Sequence, residues 1–365
     1  MRITFILPEM NLSGGVRVVA IYAERLSRRG HDVRVFSTQP KNVTLRHRLR
    51  ALVRGDLQRR TDRGVPSQLR GPQILYKVVK HRPIVDADLP DADVVIATWW
   101  ETAQWVANLS PSKGKKAYFM QDYGAPGQEL SQIVPTWRLP LYKITISRWL
   151  VELIRQYFGD AQVSLVPNAV DHESFYGPPR GRQLTPTVGF VYRPGRTKGA
   201  DLAFEAVDVA RHTIPPLRLV GYGTRRPLGR ISGQLEFHLC PPDVELREIY
   251  SQCDAWLFPS RREGFGLPIL EAMACRTPVI ATRAGSAPEL LEEGGGILIP
   301  DATVEDMAAA IVRVFDISEF DWKNMSDAAY KTASSYSWED ATDRFEEALD
   351  HAKRQARVAP RTKYS

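Results

Sequence analysis

Cysteine is scarce: Cys240, Cys253 and Cys275 are the three in 365 residues, widely spaced and odd in number. That argues against a disulfide framework or a cysteine-built zinc site, and for a reducing compartment. The seven histidines form no spaced ligand cluster, so no metal site is expected. Long apolar runs are missing too; none reaches the roughly 18 residues that a spanning helix needs. The opening Met-Arg-Ile-Thr-Phe-Ile-Leu-Pro is too short for a signal-peptide core, and no small-residue cleavage site follows. The expected location is therefore cytoplasmic. There is no short-period repeat and no low-complexity tract.

A broad excess of one charge is also lacking. The net charge of +7 is concentrated in residues 41–70, where nine Lys/Arg face only Asp56 and Asp62. What remains is an ordinary globular composition, 43% hydrophobic and 25% charged, long enough for two domains.

Alternating strand and helix patterns fill both halves. Ile3–Leu7 reads as a buried strand, followed by Ser13-Gly14-Gly15 and a helix whose Val18, Val19, Tyr22, Ala23 and Leu26 share a face. Gly30 stops it, and Val33–Phe36 is the next strand. This βαβ opening predicts a parallel sheet, continued by Val94–Ala97, Ala117–Met120, Ile144–Ile146 and Val163–Val166. The texture then turns rich in Pro, Gly and Arg, and a second series begins. Its strands are Val188–Val191, Leu217–Val220, Leu235–Leu239, Ala255–Phe258, Pro278–Ala281 and Ile297–Ile299. The expected fold is α/β: a Rossmann-like domain over 1–170, another over 171–337, and a C-terminal helix and tail over 338–365. That helix is expected to pack back toward the first domain, and the ligand cleft is expected between the two.

The most informative stretch is Glu263-Gly264-Phe265-Gly266-Leu267-Pro268 running into Glu271-Ala272-Met273-Ala274. Pro268 suits a first helical turn, and the two glycines let backbone amides approach a ligand. Free N–H groups and the helix dipole make such a turn a cradle for a diphosphate. Carboxylates on either side would repel phosphate, so Glu263 and Glu271 are better suited to sugar hydroxyls. On the residues alone, a capping carboxylate and a surface glutamate fit equally well.

This run resembles glycosyltransferase family 4, as do Thr277-Pro278-Val279-Ile280-Ala281-Thr282 and Gly285-Ser286-Ala287-Pro288-Glu289-Leu290 after it. The resemblance implies the GT-B fold, retention of anomeric configuration and no metal or other cofactor, the nucleotide diphosphate sugar being a co-substrate. It implies that Glu263 contacts the transferred sugar and Glu271 the ribose, while the backbone from Gly264 through Phe265 and Gly266 to Leu267 holds the diphosphate. In Arg193-Pro194-Gly195-Arg196-Thr197-Lys198-Gly199, Arg193 and Lys198 are similar to the family's pair of cations at the leaving diphosphate, with Arg196 a possible decoy. A solvated basic loop is the plain alternative. Pro167-Asn168-Ala169-Val170-Asp171 resembles the family's linker, and Gly221-Tyr222-Gly223 its glycine turn. Gly14 and Gly15 resemble the first-domain loop that closes on the diphosphate.

The chain also departs from the family. Met120-Gln121-Asp122-Tyr123 stands where many members carry a His-Asp pair, so no imidazole can act there. Asp122 and Tyr123 become acceptor candidates. Trp99 and Trp100 join them, since aromatics at a strand end can stack on a sugar or simply pack the domain. Cys240-Pro241-Pro242 replaces the usual glycine of the base-binding loop. The Asp-x-Asp runs at 86–88 and 91–93 mark metal-dependent transferases of another fold and are discounted.

The expectation is a hexosyl- or deoxyhexosyltransferase that elongates a glycan or lipid-linked acceptor in cell-surface polysaccharide or glycolipid synthesis. A phosphorylase or a sugar-nucleotide epimerase is the nearest rival. A nucleic-acid or membrane adaptor is a rival of another class, though it has no use for Glu263 and Glu271, and no nucleic-acid partner is expected. Within residues 45–63, Leu45, Leu49, Leu52, Val53 and Leu57 interleave with arginines at helical spacing. That basic amphipathic pattern suits the inner face of an anionic membrane, or a helix that packs on its own domain.

Overall fold

The computed structural model describes residues 1–10, 13–39, 69, 73–123, 130–159, 162–227 and 235–354. The basic 45–63 segment lies outside the described residues. The chain divides into two compact units. The first comprises Met1–Ile146, Val151–Val166 and Thr342–Ser365; the second comprises Ser147–Leu150 and Pro167–Ala341.

Among the described residues, the first unit is built on strands β1 (Arg2–Leu7), β2 (Asp32–Thr38), β3 (Leu75–Val79), β4 (Val94–Ala97), β5 (Lys115–Met120), β6 (Tyr142–Thr145) and β7 (Val163–Leu165). Every pairing is parallel, in the order β3-β2-β1-β4-β5-β6-β7. The central strands are apolar without alternation because helices cover both faces; β4 is buried at all four positions. The helix Gly14–Arg28 makes the first crossover. Ser13 caps it by accepting from the Val16 amide, and Val18, Val19, Tyr22, Ala23 and Leu26 are buried along one face. Gly30 ends it in the left-handed region at φ 86°.

The edge strand β3 was not expected from sequence. Leu75 and Val78 are exposed and Lys77 lies between them, so neither alternation nor a continuous apolar run marks it. The expected strands all form; Val94–Ala97, Leu235–Leu239 and Ala255–Phe258 keep their bounds and the others shift by one to three residues at one or both ends, so that β5 begins at Lys115 and β6 spans Tyr142–Thr145 rather than reaching Ile146.

The C-terminal helix, Trp338–Arg354, contributes Phe345 to the first unit's core. Its ring stacks on Tyr22 at 4.3 Å between centroids and meets Phe119 edge-on at 5.1 Å.

The second unit repeats the plan with β8 (Thr187–Tyr192), β9 (Arg218–Gly223), β10 (Leu235–Leu239), β11 (Ala255–Phe258), β12 (Val279–Ala281) and β13 (Gly296–Leu298). Again every pairing is parallel, in the order β10-β9-β8-β11-β12-β13. Val188, Phe190, Leu219, Leu257 and Ile280 from the sheet pack with Leu202, Val207, Ile311 and Trp322 from the helices. Strand order reverses between β8 and β11, so the loops leaving these two strands part to opposite sides. In doubly wound sheets, ligands bind at that switch point.

Candidate functional site

The loops at the β8/β11 switch point are the two that carry the basic run and the first glutamate. After β8 the chain turns through Gly195, at φ 116°, into a single 3-10 turn, Arg196–Lys198, and leaves through Gly199 at φ 67°. Gly199 is required twice over. Its φ is left-handed, and a Cβ there would lie 1.9 Å from the Pro259 carbonyl oxygen. The β11 loop is laced to this turn: the amides of Arg261 and Arg262 donate to the Thr197 carbonyl at 2.9 and 3.3 Å. The Arg261 guanidinium donates to the Arg196 carbonyl at 2.8 Å and to Asp201 at 2.9 Å, holding the Asp201 carboxyl below its usual range. Arg196 therefore contributes its carbonyl to the scaffold while its side chain stays exposed.

Arg193, Lys198, Ser260, Glu263 and Pro268 line one solvent-open recess together with Trp256, Leu257 and Phe258. Lys198 Nζ is 2.8 Å from Glu263 Oε1, and Ser260 Oγ donates to the same oxygen at 3.1 Å. Both ionic side chains are more than three-quarters covered, so the pair is partly withdrawn from water. Arg193 is exposed at the rim. Two buried hydroxyls nearby, Thr197 Oγ1 and Ser286 Oγ, have no partner among the described residues.

From Glu263 the chain runs through Gly264 and Phe265 to Gly266, which caps the helix Leu267–Ala274 at φ 106°. A Cβ on Gly266 would meet the Phe258 ring at 2.8 Å. The loop is clamped from behind. The Ser286 amide donates to the Phe265 carbonyl at 2.8 Å, and Gly285, at φ 61°, lies too close to Phe265 and Glu263 to carry a side chain. Trp149 Nε1 donates to the Gly264 carbonyl at 2.9 Å. Among the described residues, no acceptor takes the amides of Gly264, Phe265, Gly266 or Leu267. These donors sit at a helix start, where the macrodipole favours an anion.

Glu271 sits one turn into that helix and is buried. Its Oε2 accepts from Tyr250 Oη at 2.7 Å, and Tyr250 Oη lies 2.7 Å from Tyr222 Oη. Glu271 is not among the side chains lining the recess. In the sequence, Gly221-Tyr222-Gly223 is marked only by its glycines, and nothing marks Tyr250. No spacing rule joins positions 222, 250 and 271; only the packing of three elements does. Cys240, where the usual glycine is missing, adopts φ 51°, so a cysteine here takes the left-handed conformation that a glycine would adopt at no cost.

In the first unit, β1 and β4 meet at the corresponding switch point. Gly14 and Gly15 open the helix after β1, and neither has a positive φ. Gly14 has no atom within 4 Å of a Cβ, and Gly15 would touch only the Gln121 side chain at 3.5 Å. Gln121, in place of the imidazole, donates Nε2–H to the Gly15 carbonyl at 3.1 Å. Asp122 accepts from the Tyr123 amide at 2.7 Å, and Tyr123 packs against the core of this unit. Trp99 occupies the N-cap position of the helix Trp100–Asn108, and Trp100 packs against the core. The four aspartates of the Asp-x-Asp runs serve the first unit's scaffold. Asp86 accepts from the Ser110 amide, Asp88 from the Val85 amide and Asp93 from the Arg2 amide, while Asp91 pairs with Lys113 at 3.1 Å.

Two parallel, doubly wound units in one chain, with donor amides and cations at a strand-order reversal, define the GT-B fold class. Residues 185–316 match the family of glycosyl transferases group 1. The chain is 30% identical over 223 residues to D-inositol 3-phosphate glycosyltransferase of Nocardiopsis dassonvillei, a match covering 52% of this chain and 51% of the relative. It is 33% identical over 126 residues to O-antigen chain mannosyltransferase B of Escherichia coli, covering 34% of this chain and 31% of that one. The chain thus spans about half the length, or less, of these curated relatives. In fold it is similar to Anabaena HepE in complex with UDP and glucose: TM-score 0.71 at 16% identity, over 96% of this chain and 100% of that one.

Proposed function

We propose that this chain is a retaining glycosyltransferase that moves a sugar from a nucleotide diphosphate sugar to a glycan or lipid-linked acceptor, without a metal. The carrying observation is the recess that gathers Arg193, Lys198 and Glu263 beside the amides of Gly264–Leu267. Those amides and the two cations fit a diphosphate; the carboxylate fits the hydroxyls of the sugar attached to it. As the bond from the anomeric carbon to the phosphate oxygen breaks, charge grows on the diphosphate, and Arg193 and Lys198 stabilise it. The acceptor oxygen bonds to the anomeric carbon from the same face, and its proton passes to the departing phosphate oxygen. Glu271 takes the ribose hydroxyls.

The narrower reading, family 4, rests on the order of the motifs along the chain. The matched relatives' names, an inositol phosphate glycosyltransferase and an O-antigen mannosyltransferase, support a hexosyl transfer in glycolipid or cell-surface polysaccharide synthesis. Asp122, Tyr123, Trp99 and Trp100 are the acceptor candidates. Docking of residues 45–63 on an anionic membrane belongs to the same proposal. Unchanged co-sedimentation with anionic vesicles after Arg46, Arg48, Arg50 and Arg54 are changed together to Glu would refute it. For the activity itself, the test is a turnover screen of UDP-, GDP- and dTDP-sugars, followed by the anomeric configuration of the product. Release of nucleoside diphosphate from none of them, or an inverted product, rejects the reading.

A further inference from the structure

Tyr250 reaches Glu271 from a different helix, Asp243–Ser251, and is wholly buried. A carboxylate only accepts, so the proton in the 2.7 Å contact belongs to Tyr250 and points at Glu271 Oε2. That leaves the Tyr250 oxygen as the acceptor in its 2.7 Å contact with Tyr222, and Tyr222 as the donor. The polarity of the chain is thereby fixed: Tyr222 to Tyr250 to Glu271. Its members come from the end of β9, the helix Asp243–Ser251 and the helix Leu267–Ala274. Burial and the adjacent carboxylate push the Tyr250 hydroxyl well above its usual range, so it remains a donor at any physiological pH. The rings are held as firmly as the hydroxyls. Tyr250 lies 4.3 Å from Trp256 and meets Phe175 edge-on at 5.9 Å, while its carbonyl accepts from Thr277 at 2.8 Å.

We infer that Tyr250, backed by Tyr222, is a positioning residue that fixes the Glu271 carboxylate in the rotamer needed to accept the ribose hydroxyls of the donor nucleotide. A glutamate has three rotatable side-chain bonds, and one oriented only on ligand arrival loses affinity to that ordering. With Oε2 anchored, the carboxylate is set before the nucleotide binds, and each hydroxyl in the chain polarises the next. The inference rests on the reading that Glu271 meets the ribose, and it adds two residues that no motif singles out.

The test compares UDP and GDP with their 2′,3′-dideoxy counterparts by calorimetric titration of the full-length wild type, Tyr250→Phe and Tyr222→Phe. Wild type should prefer the ribonucleotide of whichever base it binds. Tyr250→Phe should weaken that ribonucleotide about three- to tenfold and leave the dideoxy form nearly unchanged, since one hydrogen bond is lost. Tyr222→Phe should show the same selectivity with a smaller loss, and it keeps the inference testable if the buried variant misfolds. Equal weakening of both nucleotides in a folded variant would mean a merely structural tyrosine and would overturn the inference. A wild type indifferent to the ribose hydroxyls, or one that binds neither base, would instead remove the ribose reading of Glu271, and the inference with it.

Discussion

Lys198 Nζ lies 2.8 Å from Glu263 Oε1, so two side chains proposed to meet different parts of the donor also pair with each other. Each is more than three-quarters covered, and neither could be stranded cheaply. An ammonium has three N–H groups, so Lys198 can take a phosphate oxygen without releasing Glu263. The pair therefore holds both groups at their posts, and Ser260 donates to the same carboxylate oxygen.

Replacing either cation should damage turnover more than folding. Lys198→Ala and Arg193→Ala should each lower kcat about 10²–10³-fold, as loss of one electrostatic stabiliser does. Arg193 is exposed, so the melting temperature of Arg193→Ala should stay close to wild type, whereas Lys198→Ala leaves Glu263 without its cation and should melt somewhat lower. Near-normal turnover of both variants in a steady-state assay would show that other groups stabilise the leaving diphosphate.

Glycines that look alike in the sequence should differ sharply. Gly199→Ala adds a methyl 1.9 Å from a carbonyl oxygen at a left-handed φ, and should cost more than about 3 kcal/mol or prevent folding. Gly14→Ala meets nothing within 4 Å and should leave stability within about 0.5 kcal/mol of wild type. Urea melts of the two variants decide the point.

Stability should carry a pH signature from Asp254. It accepts from the amides of Gln183 and Thr187 at 2.6 and 2.8 Å, yet burial raises its pKa to about 6. Because the folded value exceeds the unfolded one, the native state holds more protons between pH 4 and 6. This group's stabilisation is thus complete below that window and is lost as pH rises through it, by roughly 3 kcal/mol. The stability difference between wild type and Asp254→Asn, from urea melts at pH 4 and pH 7, should shrink by that order as pH rises. A constant difference would place the carboxyl at an ordinary pKa.

Activity should survive chelation. On the proposed reading Arg193 and Lys198, which line the recess, supply the charge that would neutralise the leaving diphosphate, and the Asp-x-Asp aspartates already hold scaffold groups. Loss of turnover in EDTA, restored by manganese or magnesium, would refute the metal-free reaction.

The fold was legible wherever burial is two-sided. β4 and β11 are uninterrupted apolar runs because helices cover both faces, and such runs are visible in one dimension. β3 was not legible, since an edge strand with Leu75 and Val78 exposed obeys neither period. The Glu263 loop could be read because turn chemistry is local: Gly266 and Pro268 announce a helix start. The Tyr222–Tyr250–Glu271 chain could not, since its register is set by how two helices and a strand pack. Gln121 shows the same limit. Its absence of acid–base chemistry was plain from its identity, but its grip on the Gly15 carbonyl required the sheet to bring residues 106 positions apart together.

The ring of Phe345 also carries a message about the order in which the protein can be finished. Phe5, Tyr22 and Phe119 leave the ribosome more than two hundred residues before the ring that completes their cluster. Through most of translation the nascent first half bears an unfinished aromatic seam, the kind of surface that chaperones shield and that drives aggregation when left bare. An isolated fragment ending at residue 170 would keep that seam open for good. Splicing the last helix onto such a fragment, rather than trimming its end, is the route to a soluble half.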